Sequence, residues 1–219
     1  MKNSGTDIDF RRLTTPRAAA IAGILFSLLF TACLVLFRSA IPADPTAGIE
    51  WIERGAQRIT IALELVPFAG IAFLWFIGVV RDRLGRYEDQ FFSTVFFGSG
   101  LLFLAMVFIS SAIAGSLLVY HQHAVNISLE HEIVYFGRVM MIYFSNIFAL
   151  RMAGVFMLSL GTIWLRTGLM PRWLVILTYL LAVTLLIIIN LSSWVTLVFP
   201  GWVMMISVVT LISNLRRST

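Results

Sequence analysis

Two residues of opposite charge stand inside stretches that are otherwise apolar. Arg151 follows Phe148-Ala149-Leu150 and precedes Met152, near the middle of a long hydrophobic run. Glu64 lies within Ile61-Ala62-Leu63-Glu64-Leu65-Val66. A charge at the centre of a bilayer costs about 2.5–3.5 kcal/mol on insertion scales, so each side chain is expected to face protein or water and to have a partner. The helical neighbours of Arg151 are Met140, Phe144, Ile147, Val155 and Leu158, an apolar face, so its partner must come from another helix. Gln57 and Thr60 lie two turns and one turn from Glu64 on one helical face. They suggest a polar half-channel that leads to the carboxylate. The sequence therefore predicts a Glu64–Arg151 pair. Such a pair has two readings: a site for a proton, an ion or an anionic group, or a structural neutralisation of two intramembrane charges.

A second group of chemical residues is His121, His123, Glu130, His131 and Glu132. Imidazole and carboxylate ligands suit zinc or copper, and His121, His123, His131 and Glu132 are the candidate set. The spacing is not the zinc-protease pattern, because Tyr135 stands where the second histidine would be. The plain alternative is polar surface. The densest charge run is 81–90, where Arg81, Arg83 and Arg86 could hold anionic lipid headgroups. Its other reading is a topology anchor with internal ion pairs. Other apparatus is missing from the sequence. The only lysine is Lys2, all histidines fall in one loop, and neither a Walker loop nor a Gly-x-Ser-x-Gly turn is present. The reading leans away from an enzyme, and no cofactor is expected beyond zinc or copper at that loop.

The elements that must position these residues are membrane helices. Hydrophobic residues make up 59% of the 219 and charged residues 12%, with mean hydropathy +0.93. A soluble domain carries about 25% charged residues. Here lipid must serve as the apolar solvent, and only helices or closed barrels satisfy their backbone groups there. At about 20 apolar residues per crossing, the chain reads as one all-α transmembrane domain over 1–219. Six spans are expected near 17–37, 59–80, 91–120, 134–165, 173–191 and 194–212. With the N-terminus inside, the inner segments hold eleven basic residues and the outer segments four (Arg38, Arg54, Arg58 and Arg138) of the 16 in the chain. That bias predicts both termini in the cytoplasm. The net charge of +5 is dispersed over span ends, so it gives no nucleic-acid footprint. Leu34-Val35-Leu36-Phe37 continues the first run beyond Cys33, which favours a retained helix over a cleaved leader.

Segments 49–54 and 126–136 interleave charged and apolar residues before spans two and four. Each is either a short amphipathic helix on the outer surface or the projecting first turns of its span. Trp75, Trp164 and Trp173 near inner ends, with Trp51 and Trp194 near outer ends, suggest aromatic belts. Ala19, Gly23, Ser27 and Thr31 share one face of span one. They suit close packing within the bundle, or a dimer seam. Pro200-Gly201 is expected to kink or loosen span six, and 190–193 to form a tight turn joining spans five and six into a hairpin.

Thr15-Pro16-Arg17-Ala18-Ala19-Ala20-Ile21-Ala22-Gly23-Ile24-Leu25-Phe26 resembles the opening of an uncharacterised family of bacterial multi-span inner-membrane proteins. Met170-Pro171-Arg172-Trp173-Leu174 and Leu197-Val198-Phe199-Pro200-Gly201-Trp202 resemble its closing helices. The resemblance implies a bacterial plasma (inner) membrane protein and brings no activity with it. The resulting expectation is a small channel or transporter-like bundle around Glu64 and Arg151, surrounded by lipid. The alternatives are an accessory subunit of a membrane complex, a homo-oligomer, or a redox or metal module using the outer histidines.

Overall fold

Helix after helix is apolar enough to need lipid or a neighbour on every side, and the computed structural model describes how they share the load. It describes residues 16–42, 48–84, 90–123, 127–187 and 193–215. Helix α1 spans Pro16–Ala40, α2 Glu50–Leu84, α3 Gln90–His123 and α4 Ile127–Ile142. A π-helical turn, Tyr143–Ala149, joins α4 to α5, Leu150–Thr167. Then come α6, Arg172–Ile187, a 3₁₀ turn, Ser193–Leu197, and α7, Val198–Leu215. No strand occurs among the described residues.

Five helices are long and apolar enough to cross a membrane: Ala18–Ala40, Glu50–Arg81, Phe91–His123, Leu129–Thr167 and Trp194–Ser213. The fifth expected span appears as the shorter apolar helix Arg172–Ile187. Most of the expected turn at 190–193 lies outside the described residues. The principal partner of α6 is α5, and that of α7 is α1. The expected α6–α7 hairpin is therefore secondary to those contacts. The two helices meet where Trp202 Nε1 donates to Thr178 Oγ1 at 2.9 Å.

Neither interleaved segment is a separate surface helix among the described residues. Both are continuous with the helices that follow them, α2 from Glu50 and α4 from Ile127. The reason is burial. Trp51, Ile52, Ile59, Ala114, Leu117, Val134 and Ala40 form a second apolar core at this end of the bundle. Trp51 and Trp164 are accordingly buried and belong to no lipid-facing belt, whereas Trp75, Trp173 and Trp194 are exposed.

The main core is a block of aromatic rings drawn from five helices. Phe26 lies 4.6 Å from Phe73, Phe103 4.6 Å from Phe199, and Phe96 4.4 Å from Phe156. Phe73 also meets Phe103 at 5.4 Å and Phe156 at 5.6 Å. Offset and edge-to-face ring pairs of this kind add about 0.5–1.5 kcal/mol each beyond their burial. Pro200 falls in the first turn of α7, where a proline costs no helical hydrogen bond. The regular α-helix of this span begins only at Val198, after the 3₁₀ turn Ser193–Leu197. The interior proline is Pro67 in α2, which removes the donor for the Leu63 carbonyl.

The small-residue face of α1 packs inside the bundle. Ala19, Gly23 and Ser27 are buried, and a Cβ on Gly23 would stand 2.1 Å from Ser207 Oγ and 3.0 Å from the Phe76 ring. Gly23→Ala should lower stability by about 1–3 kcal/mol through overpacking. Adding Ser207→Ala should recover part of the loss. Thermal unfolding of the two variants in one detergent checks this; a neutral Gly23→Ala would show that the α1–α7 contact is loose.

Candidate functional site

Charge sorts itself between the two ends of the bundle. At one end Arg81 lies over the Phe97 ring at 4.5 Å and Arg166 over Phe92 at 4.8 Å. At the other end stand Arg38, Arg54, Arg58, Arg138 and the histidines. Of these, Arg54 pairs with Glu50 on the surface and Arg58 Nη1 donates to the Ser39 carbonyl at 2.6 Å. Arg38 and Arg138 do something different: they turn inward.

Arg138 is one of the largest fully buried side chains, at 2% exposure. Its Nη2 donates to the Pro42 carbonyl at 2.8 Å, and its guanidinium lies over the Trp51 ring at 5.3 Å. It thereby ties α4 to the end of α1 and the start of α2. Arg38 Nη2 donates to Asn146 Oδ1 at 3.0 Å. Among the described residues no carboxylate pairs with Arg38.

Both arginines line a cavity of about 220 Å³, together with Leu34, Phe37, Ile41, Pro42, Ser110, Met141, Ile142, Ser145, Asn146 and Thr196. A smaller, more apolar cavity of about 60 Å³ lies deeper. It shares Leu34, Phe37, Ser110, Ser145 and Thr196 with the first and adds Phe30, Cys33, Val66, Phe103 and Leu150 among others. The composite space is cationic and hydroxyl-lined at the Arg38 end. It becomes apolar toward the ring cluster, which closes it.

The π turn shapes this space. Wide turns of this kind often occur at functional sites. Here the turn carries Ser145 and Asn146 on the cavity wall. The Met141 carbonyl at its head accepts hydrogen bonds from Ser145 Oγ at 2.7 Å and from Ser110 Oγ on α3 at 3.2 Å. Ser145 Oγ also contacts Asn146 Oδ1 at 3.1 Å. The asparagine that holds Arg38 is thus itself held.

The residues expected from sequence are placed otherwise. No ion pair joins Glu64 to Arg151 among the described residues. Glu64 is exposed on α2 and Arg151 is half-buried on α5. Gln57 and Thr60 do share the face of Glu64, but all three are exposed and point away from the bundle, so they line no half-channel within the chain. The inward stripe of α2 is occupied by Ile59, Ala62, Val66, Ala69 and Phe73, and the apolar stripe decides which way the helix turns.

His121, His123, His131 and Glu132 are not gathered into a ligand set, and no metal-binding group of three or more side chains occurs among the described residues. His121 instead bridges Glu130, through Nδ1, and Glu53, with Nε2 3.5 Å away. That contact fastens α3 to α4 and α2. His123 Nδ1 contacts the Val119 carbonyl at 2.8 Å, while His131 and Glu132 are exposed. Of the expected headgroup arginines, Arg81 stacks on Phe97; the side chain of Arg83 and all of Arg86 lie outside the described residues. No protein-family model, curated protein or solved structure matches the chain.

An arginine that only marked topology could be replaced at a cost within about 0.5 kcal/mol. Buried Arg138 should behave differently. Arg138→Met is expected to destabilise by about 1.5–3 kcal/mol, the usual loss for a hydrogen bond to a charged group. The same change should alter Trp51 fluorescence. Thermal unfolding followed by tryptophan emission measures both, and an unchanged melt would return Arg138 to a surface role.

Proposed function

We propose that this chain is a six-span plasma-membrane protein, with both termini in the cytoplasm, that binds an anionic amphiphile in the Arg38–Arg138 cavity from the outer side. The orientation follows the basic-residue bias, with the Arg81 and Arg166 end inside. One observation carries the binding reading. The Arg38 guanidinium faces a membrane-level cavity with an amide oxygen, and no carboxylate among the described residues, as its partner. A guanidinium presents five donors in a fixed fork suited to phosphate or carboxylate, and Asn146 Oδ1 is the one partner of Arg38 among the described residues.

The rest of the cavity fits the same chemistry. Ser110, Ser145 and Thr196 make the wall beside the charge polar. Below them Phe30, Val66, Phe103 and Leu150 offer an apolar recess. The depth also suits a headgroup above and a chain below. Arg58, whose bond to the Ser39 carbonyl places it beside Arg38, lies about 35 Å along α2 from Arg81 at roughly 1.5 Å per residue. The hydrocarbon is about 30 Å thick, so the arginines stand at the headgroup level. A pore along the axis of one chain is disfavoured by the packed rings of Phe73, Phe103 and Phe199. Binding, or carriage by a change of shape, fits better than an open channel.

Dodecyl phosphate and dodecanol separate charge recognition from simple partitioning. Purified protein should bind dodecyl phosphate, and Arg38→Gln should weaken that binding at least tenfold, equivalent to about 1.4 kcal/mol or more. Dodecanol binding should be unaffected by the same change. Equal weakening for both probes, or for neither, would remove Arg38 from the site.

A further inference from the structure

The recess beneath Arg38 has a floor, and the floor sets its length. Phe103 closes it. Its ring is buried and packs against Phe30 at 5.6 Å, Phe73 at 5.4 Å and Phe199 at 4.6 Å. Phe30 forms the same floor from α1 and stacks on Phe26 at 5.3 Å. Rings packed this closely do not swing aside for a guest. Two helices measure the depth. At roughly 1.5 Å per residue, Ser110 to Phe103 is about 10 Å along α3, and Arg38 to Phe30 is about 12 Å along α1. This is an upper limit for a chain, because the guanidinium and a headgroup occupy part of it. An extended chain advances about 1.2 Å per bond, so about ten carbons reach the floor. One leaflet of the bilayer offers about 15 Å of hydrocarbon, so a chain of ordinary membrane length is too long for the recess.

The volumes agree with the depth. The two cavities hold about 220 and 60 Å³. A water-sized group needs about 10–15 Å³ of such space, so together they take on the order of 20 groups, against roughly 15 in decyl phosphate and roughly 50 in a two-chain phosphatidate. The wall selects hydrocarbon. Among the described residues no charged side chain lines the deeper cavity. Ser111 Oγ donates to the Val107 carbonyl at 2.9 Å, Ser110 and Ser145 donate to that of Met141, and Cys33 Sγ donates to that of Ala62 at 3.7 Å. With these donors engaged, a polar group low in the recess would go unanswered there at a cost that a methylene does not meet. We infer that the recess is a chain-length gauge: it takes an anionic amphiphile with one chain of about ten carbons or fewer, and Phe103 sets the limit. The inference rests on the amphiphile reading of the cavity and supplies the class of chain.

Alkyl phosphates from butyl to tetradecyl test it on the purified full chain. Binding is measured by equilibrium dialysis, and binding to Arg38→Gln protein in the same detergent is subtracted. Affinity for free ligand should rise about fourfold per methylene buried and stop rising near decyl. Dodecyl and tetradecyl phosphate should bind no tighter than decyl. Phe103→Ala should move that break about two carbons or more toward longer chains, since the space left by a deleted ring collapses only in part. It should leave hexyl phosphate, which does not reach the ring, unchanged; that also shows the variant is folded. If Phe103→Ala does not fold, Phe103→Leu should give a smaller shift the same way. Val107→Phe, one turn nearer the headgroup on the same wall, should move the break toward shorter chains. Opposite shifts from the two changes separate a gauge from general loss of packing. Dioleoyl phosphatidate should not displace decyl phosphate. Affinity that keeps rising through tetradecyl phosphate, displacement by the two-chain lipid, or a break that neither variant moves would overturn the gauge while Arg38-dependent binding stands. Binding indifferent to Arg38→Gln would remove the amphiphile reading and the gauge with it.

Discussion

The interlocked rings of Phe26, Phe73, Phe103, Phe156 and Phe199 are what the rest of the bundle depends on. In lipid the helices gain nothing from hiding apolar surface as such, because the solvent is as apolar as they are. Association must come from close packing and from polar contacts between helices. Flat, rigid rings from α1, α2, α3, α5 and α7 supply that packing at the centre. Small residues supply it at the flanks, where Gly23 lies under Ser207 and Gly154 lies 3.1 Å, by its would-be Cβ, from the Ala182 carbonyl.

Where the rings stop, the cavity begins. Toward the Arg38 end the facing residues become Ser110, Ser145, Asn146 and Thr196, too small to fill the space that Phe103 and Phe199 fill below. The π turn widens the wall at the same level and presents Asn146 to Arg38. Above, the second core around Trp51 and Ile52 and the buried guanidinium of Arg138 hold α1, α2 and α4 together. The site is thus a consequence of packing: a closed floor, a polar middle and a fastened rim.

Much of the fold was legible in the sequence, and much of the site was not. Hydropathy located the apolar runs because one physical requirement, about 20 residues across the hydrocarbon, governs them all. It did not show which face of a helix turns inward. Glu64, Thr60 and Gln57 read as a path into the bundle, yet the stripe from Ile59 to Phe73 was more apolar and took the inner face. Arg138 read as a topology marker because it stands near the outer start of the expected span 134–165; in the structure α4 begins at Ile127, and Arg138 is buried with its guanidinium over the Trp51 ring. The signal that could have pointed to the cavity was Ser145-Asn146, a polar pair inside the fourth run. Its meaning required knowing that Arg38, more than 100 residues away, returns to the same level.

The central claim is that the cavity beside Arg38 is made for an anionic amphiphile. It is tested most directly by identifying what the protein carries when it is extracted gently from its own membrane. Native mass spectrometry should find one anionic amphiphile per chain, enriched over its share of the membrane and missing from Arg38→Gln. A wild-type protein that carries lipids only in their bulk proportions, with Arg38→Gln indistinguishable from it, would contradict the account.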